Sequence, residues 1–400
     1  MRVVQLLPSM RRAGAETVVY TLSAGLARHG VEVDLAIMGG RFDYENELAD
    51  SGVRVFRLGL FEGPVRFYQR LLRRRIEERT LSLLMERRPD ILHCHLPHGL
   101  IFSSNAAARL GIPTFYTMHG VNTSILDQGI VAWWRRHEYV RAIRVSRCSL
   151  LAVSAAVEER MSGIARQAHA DPIQVQVNPI DLGAIVSCPG VPRPKGGEKV
   201  AVMVGTLYPL KRVRVGLAAI RKLRDQGARV ELWVVGNGED RSALERLSAE
   251  LGIENNVKFL GVRRDVPQIL KSCDLLWLLS EHEGLPMVVL EAMAAGVPVV
   301  ATDVPGTNEL VRHNVNGLLV RLDDADAVAQ ATTRVLNDEE LQRHLVAGGA
   351  DTARRFSVDI VVAEHLARYR AMLEKRGVSL GKASTTSEGS RRNAGSANSP

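Results

Sequence analysis

The chain has 400 residues, and at roughly 100–200 residues per domain it is expected to fold as more than one domain. Its 46% hydrophobic and 24% charged residues are typical of a globular protein, and no apolar run reaches the ~18 residues of a membrane span. The net charge of +8 suits acidic partners, whereas four scattered cysteines and the lack of a signal-peptide pattern favour a cytoplasmic chain without disulfides.

The first 183 residues alternate short apolar runs with longer amphipathic segments, which is typical of parallel strands joined by helices. Strands are predicted at residues 3–7, 31–38, 91–94, 114–118, 150–153 and 173–177. A helix is predicted at residues 16–29, and further helices fit between the later strands. These elements predict an N-terminal Rossmann-like domain over residues 1–183.

Residues 184–198 are rich in Gly and Pro and interrupt this alternation, which predicts a linker. The alternation then resumes and predicts a second Rossmann-like domain over residues 199–354. Its strands are predicted at residues 200–204, 230–235, 257–260, 275–279, 297–301 and 317–320. The fold class is therefore α/β, with two doubly wound parallel sheets whose strand ends face a common cleft.

The chain ends in two segments of different character. Residues 355–376 show an amphipathic pattern that predicts a final helix. Residues 377–400 contain mainly small and polar side chains, which bury too little apolar surface to offset the entropy lost on ordering. This tail is predicted to be disordered.

A basic segment, residues 66–88, holds eight Arg and three Glu, among them Arg73 and Arg74. Its apolar residues recur at helical spacing, so it predicts a basic amphipathic helix. Such a helix can lie on an anionic membrane surface, or it can pack on the sheet with its Arg face in water. Trp133 and Trp134 leave the same choice between a membrane interface and helix packing. No motif in the chain indicates nucleic-acid binding.

Two turns that join a strand to a helix are candidate phosphate sites. One surrounds Gly14, and the other runs from Gly205 and Thr206 to Lys211. Backbone N–H groups at a helix N-terminus attract anions, and a lysine there can neutralise a pyrophosphate. Each turn taken alone is equally well explained by packing. A third turn, residues 236–238, lacks the full dinucleotide fingerprint and is better explained as structural.

The strongest motif is a pair of glutamates, Glu283 and Glu291, separated by eight positions. Gly284, Leu285 and Pro286 follow the first of them, and Pro286 suits the first turn of a helix. Both carboxylates can therefore face a ligand at one helix N-terminus and accept hydrogen bonds from ribose or hexose hydroxyls. Burying a glutamate carboxylate beside an almost wholly apolar run costs free energy unless the carboxylate has a partner. This cost favours a binding role for the two glutamates.

Histidines lie at the ends of two predicted strands. His93, His95 and His98 have no acidic ligand nearby, so packing and hydrogen bonding explain them better than a metal site. His119 closes another strand, points toward the presumed cleft and is a candidate functional residue. The Asp-Ala-Asp sequence at residues 324–326 looks like a divalent-metal motif, but helix capping accounts for it.

Together these motifs resemble a known family over roughly residues 1–375. The chain looks like a retaining glycosyltransferase of the GT-B fold, in family 4 of the nucleotide-sugar enzymes, which are also called group 1 glycosyltransferases. The similarity lies in the Ala-Gly-Ala-Glu turn at residues 13–16, the Thr-Met-His-Gly sequence at 117–120 and, above all, the block at 283–302. The resemblance also implies that the final helix crosses back onto the N-terminal domain.

The resemblance implies a role for each matching residue. Lys211 would bind the donor pyrophosphate, Glu283 the donor sugar and Glu291 the ribose, while His119 would lie near the reacting carbon. The implied catalytic set is His119, Lys211 and Glu283. The implied donor-binding set is Gly14, Gly205, Thr206, Lys211, Gly284, Leu285, Pro286 and Glu291.

One departure from the family pattern concerns charge. Thr206 stands where the family usually has Arg, so a phosphate-neutralising charge is missing. Either Arg212 or Arg214 substitutes for it, or the affinity for the donor is lower.

The implied reaction moves a hexosyl unit from a nucleotide sugar, with UDP favoured, to a hydroxyl with retention of configuration and without a cofactor or divalent metal. The acceptor is expected to be lipid-linked or a growing cell-surface polysaccharide, bound near Arg73, Arg74, Trp133 and Trp134. An anionic membrane surface is a second expected partner, which would place the enzyme on the inner face of the plasma membrane. A nucleotide-sugar 2-epimerase and a non-catalytic, basic membrane- or glycan-binding protein remain alternatives.

Overall fold

The structure is a computed structural model that describes residues 1–377 except 12, 41, 60–64, 122, 127–128 and 195. The side chains of residues 65–71 and 123–124 also lie outside the description. Of the predicted tail, residues 378–400 lie outside the described residues.

Within the described ranges, thirteen strands form two separate sheets, and every strand pair is parallel. The first sheet has the order β3-β2-β1-β4-β5-β6-β7, and the second has the order β10-β9-β8-β11-β12-β13. The strands are β1 (Arg2–Leu7), β2 (Glu32–Ile37), β3 (Arg54–Arg57), β4 (Ile91–His95), β5 (Thr114–Met118), β6 (Ser149–Ala152), β7 (Gln174–Val175), β8 (Lys199–Val204), β9 (Val230–Val235), β10 (Val257–Gly261), β11 (Leu275–Leu278), β12 (Val299–Thr302) and β13 (Leu318–Val320).

The α-helices connect successive strands and cover both faces of each sheet. They are α1 (Gly14–Arg28), α2 (Glu45–Ala49), α3 (Val65–Arg87), α4 (Leu96–Leu110), α5 (Thr123–Leu126), α6 (Ile130–Ser146), α7 (Ala155–Ala168), α8 (Leu182–Ser187), α9 (Val213–Asp225), α10 (Arg241–Glu250), α11 (Val266–Leu270), α12 (Met287–Ala294), α13 (Ala325–Asn337), α14 (Glu339–Arg354) and α15 (Val358–Lys375). Short 3-10 turns occupy Pro209–Lys211 and Glu254–Asn256.

The predicted fold class is confirmed, because each half of the chain forms a doubly wound parallel sheet. Central strands such as β4, β5 and β9 are buried along their whole length, so they appear in the sequence as mostly apolar runs. The strand predicted at residues 173–177 is only the two-residue edge strand β7. Strand β3 was not predicted, since this half-exposed edge strand carries Arg at both ends. Helix α8 extends through residues 184–187, the start of the predicted linker.

Helix α15 lies on the N-terminal domain although it follows the C-terminal domain in sequence. Its apolar face joins the core formed by β1, β2 and α1. Gly25 of α1 allows this close packing, because a Cβ there would lie 2.6 Å from a methyl of Val358 and 2.8 Å from a methyl of Val362. The chain therefore passes between the two domains twice, first before β8 and again where it enters α15.

We expect Gly25→Ala to lower the free energy of unfolding by about 1–3 kcal/mol, because β-branched valines cannot rotate away from the new methyl. Gly163→Ala is the matched control in helix α7, where the nearest atom to the new Cβ is the flexible guanidinium of Arg166 at 3.8 Å. The control should raise stability by about 0.5–1 kcal/mol through helix propensity. Denaturant titration measures both values, and equal gains would show that α15 does not pack closely on α1.

Candidate functional site

The carboxyl ends of the strands in both sheets face one cleft, whose cavity encloses about 590 Å³. This volume is in the range of small-molecule sites. The N-terminal domain contributes Gly14 and His119 to its lining. The C-terminal domain contributes the remaining predicted site residues, which are Gly205, Thr206, Lys211, Glu283, Gly284, Leu285, Pro286 and Glu291. Every predicted donor-binding and catalytic residue thus borders a single cavity.

Lys211 and Glu283 form an ion pair in this cavity. The Lys211 Nζ donates to Glu283 Oε1 at 2.6 Å, and both side chains are largely enclosed. Gly205 has a φ of +155°, and a Cβ there would lie 3.4 Å from the Cε of Lys211. That distance is an ordinary van der Waals contact, so the positive φ rather than the lysine stem favours glycine at the end of β8. The pair holds a cation ready for an anionic ligand.

The turn at residues 236–238 has a structural role. A Cβ at Gly236 would lie 1.9 Å from the carbonyl oxygen of Gly205, and one at Gly238 would lie 2.3 Å from that of Leu207. The two glycines therefore let the ends of β8 and β9 approach each other, as the structural interpretation predicted. Gly236 and Asn237 also border the cavity.

The expected substitutes for the missing arginine at position 206 do not reach the cavity. Arg212 is held by Glu281 at 2.7 Å and by Asp323 at 3.2 Å. Arg214 is exposed on α9, and neither arginine lines the cavity. In this arrangement neither arginine supplies the missing charge at the cavity, which leaves lower donor affinity as the other alternative.

Other cations border the cavity instead. Among the described residues, Arg263 and Arg264 line it together with Lys211. Arg263 is held by Asp265 through two hydrogen bonds of 2.8 and 2.6 Å. Both arginines follow β10, so their place at the carboxyl edge of the sheet is the sequence signal that could have identified them.

Glu291 lies in the second turn of α12, directly behind the cavity wall. Burial raises its pKa from 4.5 to about 7. Its carboxyl group is therefore poorly solvated without a ligand, and hydroxyl donors would stabilise the charged form. Pro286 is the residue just before α12, where its missing N–H has no cost.

His119 belongs to a buried chain of polar groups. Its Nε2 lies 3.0 Å from His95 Nδ1, and His95 Nε2 lies 2.6 Å from the Gln5 Oε1 atom. With the Gln5 carbonyl as acceptor, His95 Nε2 carries a proton and His95 Nδ1 accepts from the Nε2–H of His119. Burial lowers the pKa of His119 to about 4, so its ring is neutral. The Nδ1 of His119 is then a hydrogen-bond acceptor that has no partner within the described part of the chain.

The remaining histidine and Asp-x-Asp motifs have structural roles. The ring of His93 lies between the Tyr369 hydroxyl at 2.6 Å and the Thr117 hydroxyl at 2.7 Å, which supports the packing interpretation. No metal-binding group of three or more side chains occurs in the part of the chain that is described. Asp324 caps α13 by accepting from the Ala327 N–H at 2.8 Å, as predicted.

The two domains touch each other directly at the cleft. A Cβ at Gly284 would lie 2.6 Å from the carbonyl oxygen of His119, so only glycine fits between the two loops. On the adjacent loop, the Glu309 carboxylate accepts from the backbone N–H groups of Ala155 at 2.7 Å and Ala156 at 2.8 Å, where α7 begins. The sequence analysis missed Glu309, since nothing local indicates a partner 154 residues away.

The basic segment and the tryptophans lie apart from the donor-side residues. Arg73 is held by Glu77 at 3.0 Å and by Glu138, whereas Arg74 is exposed and pairs only with Glu78. The inward face of α3 belongs to the hydrophobic core. The helix therefore packs on the N-terminal domain and leaves Arg74 in water, as the packing interpretation of the basic segment expects.

Trp133 and Trp134 are 59% and 47% exposed, and neighbouring Ile130 is 83% exposed. These residues start α6, which follows the loop after His119. Among the described helices, none is both long and apolar enough to cross a membrane.

Comparison with known proteins covers most of the chain. A model of family 4 glycosyltransferases matches residues 12–184, and a model of group 1 glycosyl transferases matches residues 190–352. The chain is 30% identical to a D-inositol 3-phosphate glycosyltransferase of Stackebrandtia nassauensis, over 72% of this chain and 70% of that protein. It is 26% identical to a UDP-Gal:α-D-GlcNAc-diphosphoundecaprenol α-1,3-galactosyltransferase of Escherichia coli, over 65% of this chain and 70% of that protein.

The fold is shared with a solved structure, that of HepE from Anabaena in complex with UDP and glucose. The TM-score is 0.75 with 21% sequence identity, over 93% of this chain and 99% of that chain. The two facing parallel-sheet domains are the GT-B architecture.

We expect Glu291→Gln to stabilise the ligand-free protein in a pH-dependent way. Because burial raises the pKa of Glu291 to about 7, the native state favours the protonated form, and wild-type stability falls as pH rises from 4.5 to 7. The variant should gain about 2 kcal/mol over wild type above pH 7 and almost nothing below pH 4.5. Chemical denaturation at several pH values measures the difference in free energy of unfolding between the variant and the wild type. Exposed Glu250→Gln is the control, and a difference that does not change with pH would contradict the burial argument.

Proposed function

The chain belongs to the group 1 glycosyltransferases, and we propose that it transfers a hexosyl unit from a nucleotide sugar to a hydroxyl acceptor with retention of configuration. A uridine diphosphate leaving group is favoured. The observation that carries the proposal is the Lys211–Glu283 ion pair in one cavity with Glu291 and the open turn at Gly14. Relatives that use or bind UDP compounds support the same choice of donor.

The leaving group is stabilised by fixed positive charge. Lys211 leaves its carboxylate partner and pairs with the donor diphosphate, where a preorganised cation lowers the barrier to bond cleavage. Helix α1 begins at Gly14 without a side-chain cap, and a Cβ at Gly14 would meet nothing within 4 Å. The phosphates can therefore approach the first N–H groups of α1. We propose that these groups make a divalent metal unnecessary.

The sugar is held between the two domains. Glu283, released from Lys211, accepts hydrogen bonds from the sugar hydroxyls, and the neutral His119 accepts another at Nδ1. The bond between the anomeric carbon and the diphosphate oxygen breaks as the acceptor oxygen attacks from the same face. A donor phosphate oxygen takes the acceptor proton, so charge and atoms balance. The contact of Gly284 with the His119 carbonyl excludes water and limits hydrolysis.

Thermal melting with UDP-, GDP- and ADP-sugars in EDTA tests this proposal. A UDP-sugar should raise the Tm in EDTA and be slowly cleaved, since ligand binding stabilises the native state. Lys211→Ala should lower the rate of cleavage by roughly 10²–10³-fold. The control Lys222→Ala removes a lysine that pairs with Asp326 at 2.7 Å outside the cavity, and it should leave the rate unchanged.

Three results would contradict the proposal. A requirement for a divalent metal would remove the metal-independent mechanism. An epimerised donor formed without acceptor would indicate a 2-epimerase. No Tm shift with any donor would favour a non-catalytic binding protein.

The acceptor is proposed to be lipid-linked or a cell-surface polysaccharide that is extended at an anionic membrane. The exposed side chains of Ile130, Trp133 and Trp134 stand at the start of α6, which follows His119 and α5 in sequence. Exposed tryptophans suit the headgroup region of a bilayer, and the Arg74 face of α3 suits anionic lipid. This surface would present a lipid-linked acceptor to the cleft.

Vesicle co-sedimentation measures the membrane contact. Replacing Trp133 and Trp134 by Ala should weaken binding to phosphatidylglycerol vesicles at least about tenfold, because the anchoring apolar area is lost. Ile360→Ala removes an equally exposed apolar side chain from α15 and should change nothing. Equal binding by the wild-type protein and the double variant would place the acceptor surface elsewhere.

A further inference from the structure

Two buried polar side chains, Gln5 and His95, lie behind His119 in the sheet of the N-terminal domain. Gln5 stands among apolar residues in β1 and is 0% exposed, and His95 ends β4 and is 1% exposed. Neither side chain borders the cavity. A polar group in such a core costs free energy unless it is hydrogen-bonded, so the bonds of these two residues indicate why the sheet tolerates them.

Gln5, His95 and His119 form one hydrogen-bonded row that leads toward the cavity. The Oε1 of Gln5 lies 2.6 Å from Nε2 of His95, and Nδ1 of His95 lies 3.0 Å from Nε2 of His119. Both ring nitrogens of His95 are therefore engaged. Desolvation lowers the pKa of His95 well below its ordinary value, so the ring is neutral and carries a single proton. A neutral ring donates on one side and accepts on the other, and Gln5 decides which.

The Gln5 carbonyl can only accept, and this property sets the direction of both bonds in the row. His95 donates from Nε2 to Gln5 and accepts at Nδ1, so His119 donates from Nε2. The remaining nitrogen of His119, Nδ1, has no partner among the described residues and is left as an acceptor. We infer that Gln5 and His95 are positioning residues that keep Nδ1 of His119 an acceptor for one hydroxyl of the donor sugar. This inference rests on the proposed transferase function.

A second row of hydrogen bonds in the same sheet lacks this property. The Nδ1 of His93 lies 2.6 Å from the Tyr369 hydroxyl, and its Nε2 lies 2.7 Å from the Thr117 hydroxyl. A hydroxyl can donate or accept, so neither end of this row imposes a direction on the ring. Neither Thr117 nor Tyr369 borders the cavity. The row whose direction an acceptor sets is thus the one that ends at His119.

Binding of deoxyfluoro analogues of the UDP-sugar that raises the Tm tests the inference, because fluorine cannot donate a hydrogen bond. One analogue should bind the wild-type protein roughly tenfold more weakly than its parent, and His119→Ala should remove that penalty. Gln5→Leu should remove the penalty at the same sugar position, because His95 can then donate to Nε2 of His119 and turn its Nδ1 into a donor. The penalties at hydroxyls that Glu283 accepts, and the affinity for UDP, should stay at wild-type values.

Nitrogen-15 spectra of histidine-labelled protein provide a second readout, since the shifts of the two ring nitrogens identify the tautomer. Wild-type His119 should carry its proton on Nε2, and Gln5→Leu should populate the form protonated on Nδ1. Thr117→Val is the matched control, because it removes an equally buried hydrogen bond from His93. It should change neither the tautomer of His119 nor the fluorine penalty. If Gln5→Leu does not fold, Gln5→Met keeps the length of the side chain without its amide.

Three results would overturn the inference and leave the transferase function standing, provided that a UDP-sugar is bound and cleaved. One is a wild-type His119 protonated on Nδ1. Another is a fluorine penalty at the His119 position that persists in Gln5→Leu. The third is the absence of any sugar position whose penalty depends on His119. A wild-type protein that binds neither UDP nor any UDP-sugar would instead overturn the transferase function, and the inference with it.

Discussion

The contact between the backbone at Gly284 and the carbonyl of His119 determines the geometry of the whole cleft. A donor site divided between two domains works only when both halves meet at a fixed distance, and here that distance excludes any side chain. Glu309 adds a second contact beside it, because its carboxylate satisfies two N–H groups at the positive end of α7. The two contacts hold opposite walls of the cleft together, so the residues on each wall act as one site.

The site is assembled at a cost to the stability of the ligand-free fold. Desolvation raises the pKa of the half-buried Glu291 to about 7, and the Nδ1 of His119 has no hydrogen-bond partner among the described residues. Lys211 and Glu283 offset each other's burial only as long as they stay paired. Under the proposed function, a nucleotide sugar would supply what each group lacks, namely hydroxyl donors for the carboxylates and a diphosphate for the lysine. The free energy that these groups cost the fold would then contribute to donor binding.

Sequence patterns predicted most of the fold because they report burial. The central strands are buried and mostly apolar, and the glutamate pair stands out against its apolar surroundings. Strand β3 escaped prediction because an edge strand needs no apolar run. The pairing of Arg212 with Glu281 and Asp323 could not be predicted, because spacing along the chain does not tell which way a side chain points.

Glu309 and the stack of Tyr20 on Tyr44 have no local signature at all. They arise only when distant segments pack together. What sequence could not supply is therefore the set of contacts between elements, including those that join the domains.

Helix α15 links domain arrangement to the reaction centre through one such set of contacts. Its Tyr369 hydroxyl meets His93, whose ring lies 4.2 Å from that of His95. His95 in turn bonds His119, and the Gln5 carbonyl on the other side of His95 fixes which nitrogen of His119 carries the proton. The same helix packs on Gly25 of α1. A shift of α15 relative to α1 would therefore disturb the packing behind His95 while the hydrogen bonds that set the tautomer remain within the N-terminal sheet, so the second chain crossing supports the position of the His119 ring rather than its protonation.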